Sequence, residues 1–229
     1  MSQNTEAVPF RTQLRVAVSN FLQKYRSLLL GLVIGAIVVI IALAIWTQVD
    51  AATKVTFASK IEKSVTDFGA WQKETDSVKK AELAKTLEDE LVEIQKNAPN
   101  GYGLSKAWFL QGSYYSTEKK WAEAAPAFRM VFEKDHASYL APIALVNAAV
   151  SYEEAGDTPA ALETYAIFEK NFSLDTLLAP QVFFTQGRLY EASSKPAEAL
   201  LAYKKLLEKF PESSWTKLGR NRIILLSQE

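Results

Sequence analysis

The sequence predicts an all-α protein in which one membrane-spanning helix precedes a solenoid of helical hairpins, and two observations predict it. The first is a unit that recurs about every 37 residues, beginning near Tyr102, Tyr139 and Leu177. With Gly112, Ala149 and Gly187 in register, Trp108, Leu145 and Phe183 align before them and Tyr115, Tyr152 and Tyr190 after them. Ala124, Ala161 and Ala199 follow, then Phe128, Tyr165 and Tyr203, then Val131, Phe168 and Leu206. Small residues at fixed positions let paired helices approach, and large ones fill the space between them. Hairpins of this kind cannot bury their apolar faces alone, so they stack. The second observation is an almost unbroken apolar run from Leu28 to Trp46, inside an uncharged stretch from Ser27 to Val49. As a helix that run is about 28 Å long, close to the hydrocarbon thickness of a bilayer.

Residues 1–26 are expected to form a cytoplasmic N-terminal segment with a basic amphipathic helix. Positions 1–9 are polar and end at Pro9, which suits a disordered tip. Phe10, Leu14, Val18, Phe21, Leu22 and Tyr25 then fall at helical spacing, with Arg11, Arg15 and Lys24 mostly off that face. A helix lying on an anionic membrane surface has this pattern; a topogenic signal continuing into the span explains the same residues equally well. Residues 27–49 are the anchor. Ala42-Leu43-Ala44 imitates a signal-peptide cleavage site, but the apolar run is longer than the usual ~7–15 residues of such peptides, so an uncleaved span is expected. Trp46 suits the interfacial belt, and Gly31 with Gly35 makes a small-xxx-small pair that another membrane helix can approach. Arg11, Arg15, Lys24 and Arg26 before the span outweigh Lys54 and Lys60 after it, so the N-terminus is expected in the cytoplasm and the repeats in the periplasm of a bacterial inner-membrane protein.

Residues 50–101 read as a helical spacer or degenerate repeat. Val55, Ala58, Ile61, Val65 and Phe68 stripe a first helix to about Trp71, and Leu83, Leu87, Leu91 and Ile94 stripe a second from about Val78 to Lys96. Glu88, Asp89, Glu90 and Glu93 lie among lysines in that helix, the pattern of a solvated face. Residues 102–229 are the repeat domain, with helices expected at 102–117 and 121–134, 138–155 and 158–171, and 175–193 and 196–209. Pro142 and Pro180 occupy equivalent places and fit a first helical turn. A helix from Ser213 to Ser227 should cap the open end with Trp215, Leu218, Ile223, Leu225 and Leu226.

The aligned residues resemble the tetratricopeptide repeat, whose consensus runs aromatic, Gly, Tyr, Ala, aromatic, Pro. The third unit matches best, through Phe183, Gly187, Tyr190, Ala199, Tyr203 and Pro211. The first has His136 in place of Pro; the second has Ala149 for Gly and Ser173 for Pro, with Gly156-Asp157 supplying its turn. The family's usual period is about 34 residues, so the extra length implies longer connections or longer first helices. The resemblance also implies that the first helix of each repeat lines a concave groove. Counting from the aligned positions puts Lys106, Phe109 and Ser113 there, then Ile143, Val146 and Val150, then Gln181, Phe184 and Arg188. Such a lining suits an apolar or amphipathic protein segment; packing by the chain's own terminal helix explains the same residues.

Chemistry is not legible. Basic and acidic residues balance at 26 each, so no global field attracts nucleic acid. Cysteine is absent, which removes disulfides, thiolate ligands and a thiol nucleophile. The sole histidine, His136, has no second imidazole for a metal site, and Gly101-Tyr102-Gly103 lacks the continuation of a phosphate loop. No enzyme activity, metal, cofactor, nucleic acid or small-molecule substrate is expected.

The layout, together with Tyr102-Gly103-Leu104-Ser105-Lys106-Ala107 opening the array, resembles the YfgM family. That resemblance implies an ancillary, noncatalytic subunit of the SecYEG translocon that works with a PpiD-like membrane-anchored chaperone and hands emerging proteins to periplasmic folding factors. The alternatives are an envelope scaffold organising a wall-synthesis, secretion or motility complex, and a receptor facing the cytosol.

Overall fold

The structure, a computed structural model, describes residues 10–172 and 176–228; the expected tip at 1–9, the Phe10 side chain and Ser173 lie outside what is described. The described residues form nine α-helices: α1 (Phe10–Lys73), α2 (Ser77–Asn97), α3 (Tyr102–Thr117), α4 (Trp121–Lys134), α5 (Ala141–Glu154), α6 (Thr158–Asn171), α7 (Ala179–Ala192), α8 (Pro196–Lys209) and α9 (Ser214–Leu226). They divide into two units, Met1–Ala52 and Thr53–Glu229.

The first unit is the N-terminal part of α1. The amphipathic stretch and the apolar run belong to one unbroken helix. That helix is long and apolar enough to cross a bilayer, and nothing in its most apolar window is buried. Among the described residues, nothing outside the local helix backbone comes within 4 Å of a Cβ placed at Gly31 or Gly35.

The second unit is a stack of antiparallel helix pairs. Ile61 and Trp71 of α1 pack with Leu87, Leu91 and Ile94 of α2, and this cluster continues into Ala107, Leu110 and Tyr114 of α3. Two acidic side chains of α2 are engaged with α1: Lys63 pairs with Glu90, Ser64 donates to Glu90 at 2.9 Å, and Lys60 pairs with Glu93 at 2.5 Å. Hydrogen bonds to Asp67 and Glu90 raise the Lys63 pKa, so the ammonium keeps its charge at any ordinary pH. Between α5 and α7, Leu145, Tyr165, Phe168 and Val182 form the largest buried cluster. α9 packs on α7 and α8. Only part of its apolar stripe is used, however: Thr216 and Gly219 are buried, whereas Leu218 and Leu225 stay about half exposed, contrary to their expected packing role.

Local chemistry sets the helix starts. The helices expected from 138 and 175 begin at Ala141 and Ala179, because Pro142 and Pro180 lack an N–H and therefore sit in the first turn. The extra length of the repeat accordingly falls in the connections at 135–140 and 172–178, while α5 to α8 are each 14 residues long. Asp157 caps α6 by accepting from the Ala160 N–H at 3.0 Å. The three turns inside the repeats share a left-handed residue at one register position: Lys119 (φ 58°), Gly156 (φ 82°) and Ser194 (φ 57°). Only the second repeat uses glycine there and aspartate next to it. Outside glycine this conformation costs roughly 1 kcal/mol, and an uncapped helix start forgoes about as much. Ser194→Gly with Lys195→Asp is thus expected to raise stability by about 1 to 2 kcal/mol, seen as a higher unfolding midpoint of the full chain in detergent. An unchanged midpoint would contradict the cap and turn assignment.

Ion pairs one repeat apart join neighbouring units. Arg129 of α4 bonds Glu163 of α6 at 3.0 Å, and Glu169 of α6 bonds Lys205 of α8 at 2.9 Å. Glu153 of α5 bonds Arg188 of α7 at 2.5 Å, and Glu191 of α7 pairs with Arg222 of α9. Exposed pairs of this type are each worth about 0 to 1 kcal/mol, so they set register more than stability. The Arg222 guanidinium holds the Glu191 carboxyl below its usual range. The buried Tyr203 hydroxyl lies beside this pair without meeting a partner in hydrogen-bond geometry; its pKa is raised by burial first and by the carboxylate second.

Candidate functional site

In the stack, α3, α5 and α7 are the first helices of successive pairs, and the last part of α1 plays that role for the pair before them. Where these helices present side chains together, a cleft of about 380 Å³ opens. Ser113, Ser116 and Thr117 of α3 and Asn147, Val150 and Ser151 of α5 line it, together with Phe68 and Gln72 of α1 and Trp121 and Phe128 of α4. None of these side chains carries a charge. Several hydroxyls are already committed to their own helices: Ser113 donates to the Phe109 carbonyl at 2.9 Å, and Ser151 to the Asn147 carbonyl at 2.8 Å. Trp121 and Val150 offer apolar contact, and the Asn147 and Gln72 amides can both donate and accept.

The nine groove residues expected from the sequence are dispersed by the structure. Ser113 and Val150 share the cleft. Ile143 is 39% exposed on α5. Phe109 packs edge-on against Phe128 at 5.4 Å, which draws it into the α3–α4 contact, and the Lys106 ammonium lies 6.0 Å from its ring on the same helix. Val146 is 5% exposed and belongs to the buried cluster between α5 and α7, where it serves packing and not an open surface. Phe184 is half-buried, 5.7 Å from Tyr203 and 5.2 Å from Trp215 of α9, so the terminal helix covers it. Arg188 is held by Glu153, and Gln181 is half-buried. The chain's own terminal helix thus covers the α7 end at Phe184, and the α3–α5 end is open.

Sequence reasoning missed Phe68, Gln72, Trp121 and Asn147. Phe68 and Gln72 come from a helix outside the counted repeats, and Trp121 begins a second helix. Asn147 was the findable one, since a polar amide one residue from Val146 marks where the buried face ends. Away from the cleft, His136 donates from Nδ1 to the Phe132 carbonyl at 2.5 Å, which makes it part of a turn.

Comparison with known proteins agrees with this geometry. Residues 103–175 and 181–213 match tetratricopeptide-repeat models. Over these residues the array is similar to tetratricopeptide repeats. Repeats of this family mediate protein–protein interaction. The chain is also 30% identical over 128 residues to a TPR repeat-containing protein of Treponema pallidum (strain Nichols). The match covers 56% of this chain and 53% of that relative, so it spans about half the length of the relative.

Proposed function

We propose that this chain is a membrane-tethered, noncatalytic adaptor that receives an uncharged, partly apolar protein segment in the cleft between α3 and α5. In full, the reading is an ancillary subunit of the inner-membrane Sec translocon. Its N-terminus is cytoplasmic, its repeats are periplasmic, and it passes emerging proteins to a membrane-anchored chaperone. The observation that carries the binding role is the uncharged cleft, because a clamp for acidic peptide tails needs lysine or arginine along the first helices, and here Arg188 is already spent on Glu153. An emerging, unfolded chain presents short uncharged stretches of backbone and apolar side chains, which Asn147, Gln72, Trp121 and Val150 suit. The apolar, unburied stretch of α1 supports the tether.

The test is photocrosslinking in intact membranes from a benzophenone amino acid at Val150. Crosslinks to translocon subunits, to a membrane-anchored chaperone or to a stalled secretory chain are the expected result. Asn147→Asp with Gln72→Glu, in the chain that carries the benzophenone at Val150, should lower their yield about tenfold, the effect of losing one central contact. Crosslinks confined to wall-synthesis or motility proteins would replace the translocon reading with the scaffold one. Protease accessibility in sealed vesicles fixes the side on which the repeats lie.

A further inference from the structure

The chain has nine tyrosines, and stacking of the repeats brings two that are far apart in sequence into an exposed pair. Tyr102 opens α3, and Tyr139 stands in the turn just before Leu140, the cap of α5. Both hold the same place in successive repeats. Their rings stack at 6.4 Å between centroids, with 13° between the planes. Tyr102 is 39% exposed and Tyr139 68%, so a small reagent in solution reaches both. A second tyrosine pair, Tyr114 with Tyr115, is tilted by 45°, and Tyr114 is buried. The Tyr102 hydroxyl also has a base in contact: it donates to the Glu62 carboxylate of α1. That hydrogen bond, ahead of burial, pushes the Tyr102 pKa up to about 12, so the phenol keeps its proton at neutral pH. A protonated phenol gives up an electron readily only when its proton leaves too, because the cationic radical left otherwise is strongly acidic. A carboxylate already in hydrogen-bond contact is placed to take that proton.

We infer that Tyr102 and Tyr139 are a site of oxidative cross-linking, at which a one-electron oxidant joins the starts of α3 and α5 through dityrosine. Each ring gives one electron to the oxidant and loses its phenolic proton; Glu62 receives the proton of Tyr102, and water that of Tyr139. The two phenoxyl radicals couple through carbons ortho to their oxygens. The hydrogen on each of those carbons then leaves as a proton while solvent returns one to each oxygen, which restores both phenols. One C–C bond has formed, two C–H bonds have broken, and two electrons and two protons have been lost. Tyr139 lies outside the helices, which leaves its ring free to close on Tyr102. Cysteine is absent, so no thiol of the chain competes for the radicals. The link would tie together the starts of the same two helices whose later turns line the cleft.

The full chain, dilute in detergent, is exposed to a photoexcited ruthenium polypyridyl complex with persulfate, then digested and mapped by mass spectrometry, with dityrosine fluorescence as a second readout. The expected product is a linked pair of peptides carrying Tyr102 and Tyr139, lighter by two hydrogens and formed at least about tenfold more than any other tyrosine pair, because the rings are already together. Tyr139→Phe keeps the stack and should abolish the link. Glu62→Gln keeps a hydrogen-bond acceptor but removes the base. Its yield should fall at least about tenfold near pH 7 and recover toward the phenol range near pH 10, whereas the parent stays level from about pH 6 to 9. A Tyr102–Tyr139 link no more frequent than other pairs, or found only between molecules, overturns the cross-linking site. Equal yield and an equal pH profile in Glu62→Gln overturn the role of the carboxylate and leave the tyrosine pair standing.

Discussion

Trp71→Ala is expected to cost about 3 to 5 kcal/mol and to detach one end of the array without melting the rest. Trp71 is 1% exposed. Its ring stacks on Phe68 at 5.6 Å, meets Tyr114 edge-on at 4.9 Å and carries the Lys80 ammonium 4.8 Å above it. Three helices converge on that one side chain, so truncation leaves a cavity that none of them can close without losing its own contacts. Stacked repeats touch only their neighbours, which confines the damage. Hydrogen exchange of the full chain in detergent should show faster exchange across α2 and the end of α3, with α7 and α8 keeping their protection. Uniform deprotection, or none, would show that the pair formed by α1 and α2 is not coupled to the repeats in this way.

Gly187→Ala carries the second large effect, and two opposing terms decide it. Alanine in a helix interior is favoured over glycine by about 1 kcal/mol. A Cβ at position 187, however, falls 2.4 Å from Cε1 and 2.6 Å from Cζ of Tyr203. That ring has little room to yield, because Tyr203 is fully buried. Overpacking of this kind costs typically 1 to 3 kcal/mol, so after the helical gain a net loss of about 1 to 2 kcal/mol is expected. At the equivalent place in the second repeat, Ala149 is already accommodated and fully buried. Ala149→Gly should therefore also destabilise, by about 1 kcal/mol through backbone entropy. Unfolding midpoints in one detergent would settle both signs, and a Gly187→Ala variant as stable as the parent would refute the close approach of α7 and α8.

Helix periods and turn residues are local, which is why the sequence places α4, α6 and α8 at 121–134, 158–171 and 196–209, the bounds they have in the structure. The αL turns at Lys119 and Ser194 escaped notice because their residues carry no glycine signal; only the register shared with Gly156 reveals them. The binding face was legible only in outline. Periodicity says which side of α5 or α7 is apolar, yet a first helix in such a stack is touched both by its own partner and by its neighbours.

By itself the sequence determined the all-helical class, the repeat register and the one stretch of α1 that is apolar enough to span a bilayer, because each is written in spacing along a single helix. Which groove residues stay open was decided by the tertiary structure alone. Val146 is buried, Trp215 covers Phe184 and Glu153 holds Arg188, while Phe68 and Gln72 join Val150 in the cleft. Those outcomes depend on how far each pair rotates relative to the next, and that rotation is set by contacts between residues far apart in the chain.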